Sequence, residues 1–219
     1  MDVFEALYTT RSMRRVKEDP IPEEIIKTMV DAAIRAPSGS NRQGWKFLVV
    51  TDEETRRQLG DIYRETWDYY MKEFYGGKPD LGASEVGDDK KANQVIKISK
   101  SAGWLAENFH KVPAHFLVFS RNDPTGSSIF PAIWSLMLAG RAHGIGTCLT
   151  TVMSFKQKEA FEILDVPDDK GWSLNAVVTA GYPLGKWGVA ERNPVDEVTY
   201  LNKWGKSPDW NLEEPLWSY

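Results

Sequence analysis

Two short clusters of side chains offer most of the chemistry in this 219-residue sequence. Near the N-terminus, Arg11-Ser12-Met13-Arg14 sets two guanidinium groups three residues apart with a hydroxyl between them. If that turn is helical, the two arginines project from neighbouring positions. The group suits a phosphate, because a guanidinium grips phosphate through two parallel charge-assisted hydrogen bonds and a serine hydroxyl adds a third donor. Arg15 and Lys17 extend the basic run, so a solvated basic face is the competing reading. The second cluster is Ala36-Pro37-Ser38-Gly39-Ser40-Asn41-Arg42-Gln43-Gly44-Trp45. Pro37 disfavours continuation of a helix and Gly39 permits unusual backbone angles, so donors on Ser38, Ser40, Asn41 and Gln43 can converge on a ligand.

Other catalytic groups are sparse. His110, His115 and His143 are scattered, and no Ser-His-Asp arrangement, metal-ligand spacing or phosphate-binding glycine fingerprint is present. Cys148 is the only cysteine, which excludes an intramolecular disulfide and a thiolate-rich metal site. It reads as a small buried hydrophobe. No metal site is expected. Gly144 to Thr151 joins a glycine turn to a threonine-rich run, which suits either an ordinary strand or a backbone passing close to a ligand.

The elements that must position these groups follow from hydrophobic period. Ile25, Ile26, Met29, Val30, Ala33 and Ile34 mark one face of a helix that ends near Arg35. Residues 45–50 read as a strand and 53–72 as a helix. Residues 74–91 are rich in glycine and charge and have no period. A helix over 93–109, a central strand over 114–119 and an apolar helix over 128–143 follow. Strand character returns at 147–151 and 175–182, with a helix at 156–164 between them. The order α, β, α, α, β, α, β, α, β predicts an α/β or α+β sandwich with helices covering the sheet.

Composition bounds the rest. The length suits one large domain, and a net charge of -4 gives no general reason to expect nucleic acid. No run approaches the roughly 18 apolar residues of a membrane span, and residues 1–5 lack the pattern of a secretory signal, so a cytoplasmic protein is expected. Nine tryptophans are many; Trp204, Trp210 and Trp217 suggest a C-terminal extension that docks on another surface.

Taken together, Arg11-Ser12-Met13-Arg14, the Pro37-Ser38-Gly39, Asn41, Gln43 and Trp45 pattern, Gly181-Tyr182-Pro183 and Arg192-Asn193-Pro194 resemble the FMN-dependent nitroreductase family. Thr10, Val16 and Gly44 depart from residues common in that pattern. The resemblance implies an α+β fold, a three-layer α/β/α sandwich around a mainly antiparallel sheet, in a single FMN-binding domain over residues 1–219. Residues 63–100 are then a lid excursion and 199–219 a C-terminal extension that wraps a partner subunit. It implies a homodimer with FMN sites at the interface and NAD(P)H as electron donor. Arg11, Ser12, Met13 and Arg192 would belong to the phosphate and ribityl side, and Arg14 to the pyrimidine edge. Pro37, Ser38, Gly39, Asn41 and Gln43 would reach the flavin of the other subunit. Leu149, Thr150 and Thr151 would pass flavin N5, making Arg14, Thr150 and Thr151 the catalytic set. Trp67, Tyr70 and Phe74 would shape a pocket for a nitroaromatic, quinone or similar acceptor; otherwise they belong to a packed surface helix. Two alternatives stand beside this: reductive dehalogenation of an iodotyrosine-like substrate, against which Thr66 stands where a glutamate is expected, and a flavin-binding or redox-sensing protein that does not turn over.

Overall fold

The computed structural model describes residues 1–78, 80, 89–210 and 216–217. Residues 79 and 81–88, half of the segment without period, and 211–215 and 218–219 of the tail lie outside the described residues. The chain runs α1 (Val3–Thr9), α2 (Glu23–Ala33), β1 (Trp45–Val50), α3 (Glu53–Tyr75), α4 (Asp89–Asn108), β2 (Ala114–Ser120), α5 (Ile129–Ala142), β3 (Gly146–Thr150), α6 (Gln157–Ile163) and β4 (Ser173–Gly181).

The four strands form one antiparallel sheet in the order β1-β2-β4-β3. Every residue of β2 is buried, as the apolar run Phe116-Leu117-Val118-Phe119 requires of a strand covered on both faces. Alternate side chains then build two cores. Val50, Leu117, Phe119, Cys148 and Val177 pack with Leu59 and Tyr63 of α3, Leu105 of α4 and Phe161 of α6. Trp45, Phe116, Val118, Ala176 and Val178 pack on the other face with Met29 of α2 and Ile133 and Leu136 of α5. Helices therefore cover both faces of the sheet, in the expected α+β arrangement.

Local signals set the helix ends. Asp52 caps α3 by accepting from the Thr55 N–H at 2.8 Å, and α3 stops at Gly76, whose φ of 56° favours glycine. The sequence reading misses α1, although Asp2 supplies an N-cap by accepting from the N–H groups of Phe4 and Glu5 at 2.7 and 2.9 Å.

The arginine-bearing segment is not a helical turn. Ser12 forms a parallel bridge to Thr147, and the Met13 N–H donates to the Thr147 carbonyl at 2.8 Å. Val16 then bridges Pro183, and the Lys17 N–H donates to the Tyr182 carbonyl at 2.8 Å. Residues 12–17 thus run extended beside β3 and past the end of β4. Two glycines make the room: a Cβ on Gly146 would sit 2.7 Å from Met13 Cβ, and one on Gly181 2.6 Å from Val16 Cγ2.

Candidate functional site

Extended pairing along the β3 edge carries Arg11, Ser12 and Arg14 to the mouth of a cavity of about 960 Å³. Arg192 closes it from the chain following β4, and Lys90, Asn93, Gln94, Lys97 and Ser101 close it from α4. Five of the lining side chains are cationic: Arg11, Arg14, Lys90, Lys97 and Arg192. Among the described residues the one lining carboxylate, Glu191, accepts from Lys90 Nζ at 2.9 Å. The volume lies at the upper end of the roughly 300–1,000 Å³ usual for small-molecule and cofactor sites. A large excess of fixed positive charge is what a phosphorylated ligand requires. The donor set and the size of the cavity therefore fit an FMN-sized phosphate ester.

Arg14 is half-buried and reaches inward. Burial raises the Cys148 thiol above its ordinary value, and the Arg14 charge with contacts from Ser12 and Arg14 opposes that rise. Tyr63 of α3 joins the same group: its hydroxyl is 3.0 Å from Thr150 Oγ1 and its ring stacks on Phe109 at 4.2 Å. Burial holds the phenol well above its ordinary value, so it stays neutral. His115, fully buried and stacked on Phe109 at 4.1 Å, falls to about 3 because burial, and then the Arg56 charge, penalise its protonated form. Neither Tyr63 nor His115 ionises near neutral pH.

The other predicted site residues are distributed differently. The 36–45 loop sits before β1, the edge of the sheet opposite β3, and encloses a separate polar cavity of about 300 Å³ with residues 120–129. Three strand spacings, about 14 Å, separate the two edges. Gly39 is not the left-handed residue there: Ser40, Asn41 and Gln43 adopt φ of 53°, 53° and 48°. The Ser38 hydroxyl serves the loop by accepting from the Gln43 N–H at 3.1 Å, while Asn41 and Gln43 are exposed. Gly44 is small because a Cβ would lie 2.7 Å from the Arg121 carbonyl oxygen, which the backbone approaches to end β2. Pro37 is exposed at the loop's start.

Leu149 faces the α2 and α5 side of the sheet, Thr150 faces α3, and exposed Thr151 opens the short 3₁₀ turn Val152–Lys156. Met13 is buried and contributes packing and a backbone bond, with no side-chain donor. Trp67, Tyr70 and Phe74 do not line the cationic cavity. Tyr70 packs on Trp67 at 5.9 Å and on Phe74 at 5.1 Å, beside Phe155, and its hydroxyl is 3.3 Å from that of Tyr75. Trp67 borders another groove with Arg15 and Trp104, where the Arg15 guanidinium lies 5.9 Å from the Trp104 ring. Arg15 is therefore separated from the phosphate-type set.

The residues missed by sequence are those of α4. Lys90, Gln94, Lys97 and Ser101 recur every three or four positions and so share one helix face; that polar stripe was the available signal. Among the described residues no cluster of His, Cys, Asp and Glu could hold a metal ion, and no helix is long and apolar enough to cross a membrane.

Comparison with known proteins agrees with this fold. A "NADH dehydrogenase" of Thermus thermophilus is 25% identical over 209 residues, covering 90% of this chain and 95% of that protein. An iodotyrosine deiodinase of Thermotoga neapolitana is 27% identical over 175 residues, 79% of this chain and 84% of its own length. The crystal structure of the FMN-dependent nitroreductase NfnB from Mycobacterium smegmatis in complex with NADPH superposes with a TM-score of 0.66 at 21% identity, covering 91% of this chain and 97% of that one. The family model described as the nitroreductase family matches residues 7–182. A match over that much of the sequence, enclosing the arginine segment and the whole sheet, makes this chain a member of the nitroreductase family.

Proposed function

We propose that the chain is an FMN-dependent NAD(P)H oxidoreductase, acting as a homodimer on a nitroaromatic, quinone or similar small electrophile. Its oxidoreductase class follows from family membership. The observation that carries the reading is the convergence of Arg11, Ser12 and Arg14, from the start of the chain, with Arg192, from near its end, on one strongly cationic cavity. The Mycobacterium protein, named as FMN-dependent and bound to NADPH, supports the choice of cofactor and donor.

When bound, FMN supplies the capacity to accept hydride from NAD(P)H and pass it to an acceptor. Arg11, Ser12 and Arg192 would hold its phosphate through charge-assisted hydrogen bonds. Arg14 would place a fixed cation beside the pyrimidine edge, which favours negative charge developing there. Tyr63 restrains the Thr150 hydroxyl at the end of β3. The phenol remains protonated and His115 remains neutral, so neither changes charge near neutral pH.

The two halves of the recognised pattern lie at opposite sheet edges of one chain. A second copy contributing its 36–45 loop accounts for both. In this reading the chain forms one domain and the protein is cytoplasmic. Thr66 supports a non-deiodinase acceptor: it is buried within α3 and its hydroxyl donates to the Ile62 carbonyl at 2.6 Å, so the position offers no carboxylate to a substrate ammonium group.

The test is the visible spectrum of the purified protein before and after anaerobic NADH or NADPH, followed by addition of nitrobenzoate, a quinone or 3-iodotyrosine. Yellow protein that bleaches and is reoxidised by the first two acceptors supports the proposal. Colourless protein that does not take up FMN overturns it, and bleaching with turnover of iodotyrosine alone favours the dehalogenase.

A further inference from the structure

Arg141, in the last turn of α5, is buried to 7% exposure outside the cationic cavity, and its guanidinium meets three other groups. Nε donates to Thr9 Oγ1 at 2.7 Å, and Thr9 Oγ1 in turn donates to the Glu5 carbonyl at 2.6 Å. Because the Thr9 proton is committed to that carbonyl, its oxygen is left as an acceptor for Arg141. Nη2 lies 3.5 Å from Glu5 Oε1. The flat face of the guanidinium stands 4.2 Å from the centre of the Trp187 ring. One buried cation thereby ties together α1, α5 and the chain that follows β4.

Those tied segments carry the phosphate-type cations. Arg11 follows the end of α1 at Thr9 by two residues, and Trp187 precedes Arg192 by five. Gly188, next to Trp187, lies close to Arg11: a Cβ there would lie 3.6 Å from Arg11 Nη1. A planar guanidinium uses its edge for Thr9 and Glu5 and its face for tryptophan, which an ammonium group does not do. Burying a charge is costly unless it is paired, so these contacts hold the three segments to one junction.

We infer that Arg141 is a positioning residue that sets the spacing between Arg11 and Arg192, and so selects a phosphorylated flavin over its unphosphorylated form. The inference rests on the FMN reading above. Its test is the affinity of the flavin-stripped full-length protein for FMN and for riboflavin, measured by flavin fluorescence quenching. The Arg141→Met variant is expected to lose roughly tenfold in FMN affinity while riboflavin affinity stays within about twofold. Arg141→Lys should fall between, since it keeps charge near Glu5 and loses the flat face. Trp187→Leu leaves the α1 pairing of Arg141 intact and should narrow the FMN-to-riboflavin ratio in the same direction, which keeps the test available if Arg141→Met does not fold. Parallel loss of both affinities, or an unchanged ratio in both Arg141→Lys and Trp187→Leu, overturns the inference. Wild-type protein that binds neither flavin instead brings down the FMN reading itself.

Discussion

Arg14 illustrates how a single residue acquires its role from its surroundings. It lines the cationic cavity, yet its charge is also felt by Cys148 and by the Tyr63 hydroxyl, which places it deeper than exposed Arg11. A fixed cation in a partly dry site acts most strongly where charge develops during reaction. Arg14→Met is therefore expected to retain yellow FMN and its melting temperature while slowing anaerobic reduction by NAD(P)H on the order of 10²-fold. Stopped-flow absorbance checks this; reduction at the wild-type rate would remove Arg14 from the chemistry. His115 makes a different prediction, about stability. Its folded value near 3 lies below the ordinary 6.5, so between those limits the unfolded chain binds a proton that the folded chain refuses. The stability from the neutral imidazole is complete above pH 6.5 and is lost progressively as pH falls toward 3, by at most roughly 5 kcal/mol. Urea denaturation at pH 7 and pH 5 should show this loss in the wild type and a smaller one in His115→Phe, whose ring can keep the stack on Phe109. Equal pH slopes in both proteins would show that His115 is not its source.

At the scale of elements, the sequence exposed what hydrophobic period encodes and concealed what remote pairing encodes. The continuous apolar run of β2 and the amphipathic face of α2 were legible because burial of those elements is written in adjacent residues. The segment 12–17 was not, since its extended course depends on Thr147, Tyr182 and Pro183, more than a hundred residues away. The phosphate-type chemistry of Arg11 and Arg14 was readable from side-chain type alone, whereas the α4 wall needed the tertiary fold to identify which polar stripe faces inward. Trp67, Tyr70 and Phe74 were singled out for their aromatic character; in the fold Tyr70 packs against Trp67, Phe74, Tyr75 and Phe155, and Phe74, itself more than half exposed, also meets Phe155. The glycine turn into β3 suited either an ordinary strand or a close approach to a ligand; at Gly146 the room is taken by Met13. Gly146→Ala forces a methyl group against Met13 Cβ and should displace the arginine segment from the β3 edge, destabilising the fold by about 1–3 kcal/mol. It should also release FMN more readily on dilution. Thermal melting and flavin retention after gel filtration measure the two effects, and a stable variant that holds flavin normally would show that this close approach does not position the arginines.

For the whole molecule, the decisive relation is between the two sheet edges. The cationic cavity borders β3 and the polar 36–45 loop borders β1, so a chain does not bring its own loop to its own arginines. Apolar side chains stand exposed on α1 at Val3, Phe4 and Leu7, on α5 at Phe130 and Trp134, and on the tail at Trp204, which is 91% exposed. Surfaces of this kind are commonly covered by another protein surface. In a symmetric dimer, a contact of one loop with the other chain's cavity would occur twice. Two variants with lesions on different sides separate this arrangement from a site made within one chain. Arg14→Met damages the cavity, and Asn41→Ala with Gln43→Ala damages the loop; each alone should be poorly active. In a dimer formed from one copy of each, one site receives both lesions and the other receives none. Equal mixtures unfolded and refolded together should therefore recover about a quarter of wild-type activity, because half the dimers are mixed and each has one intact site. Mixtures of the same proteins combined without subunit exchange should stay inactive. If refolding together restores nothing while wild-type subunits treated identically regain activity, loop and cavity act in the same chain, and the interfacial site is wrong.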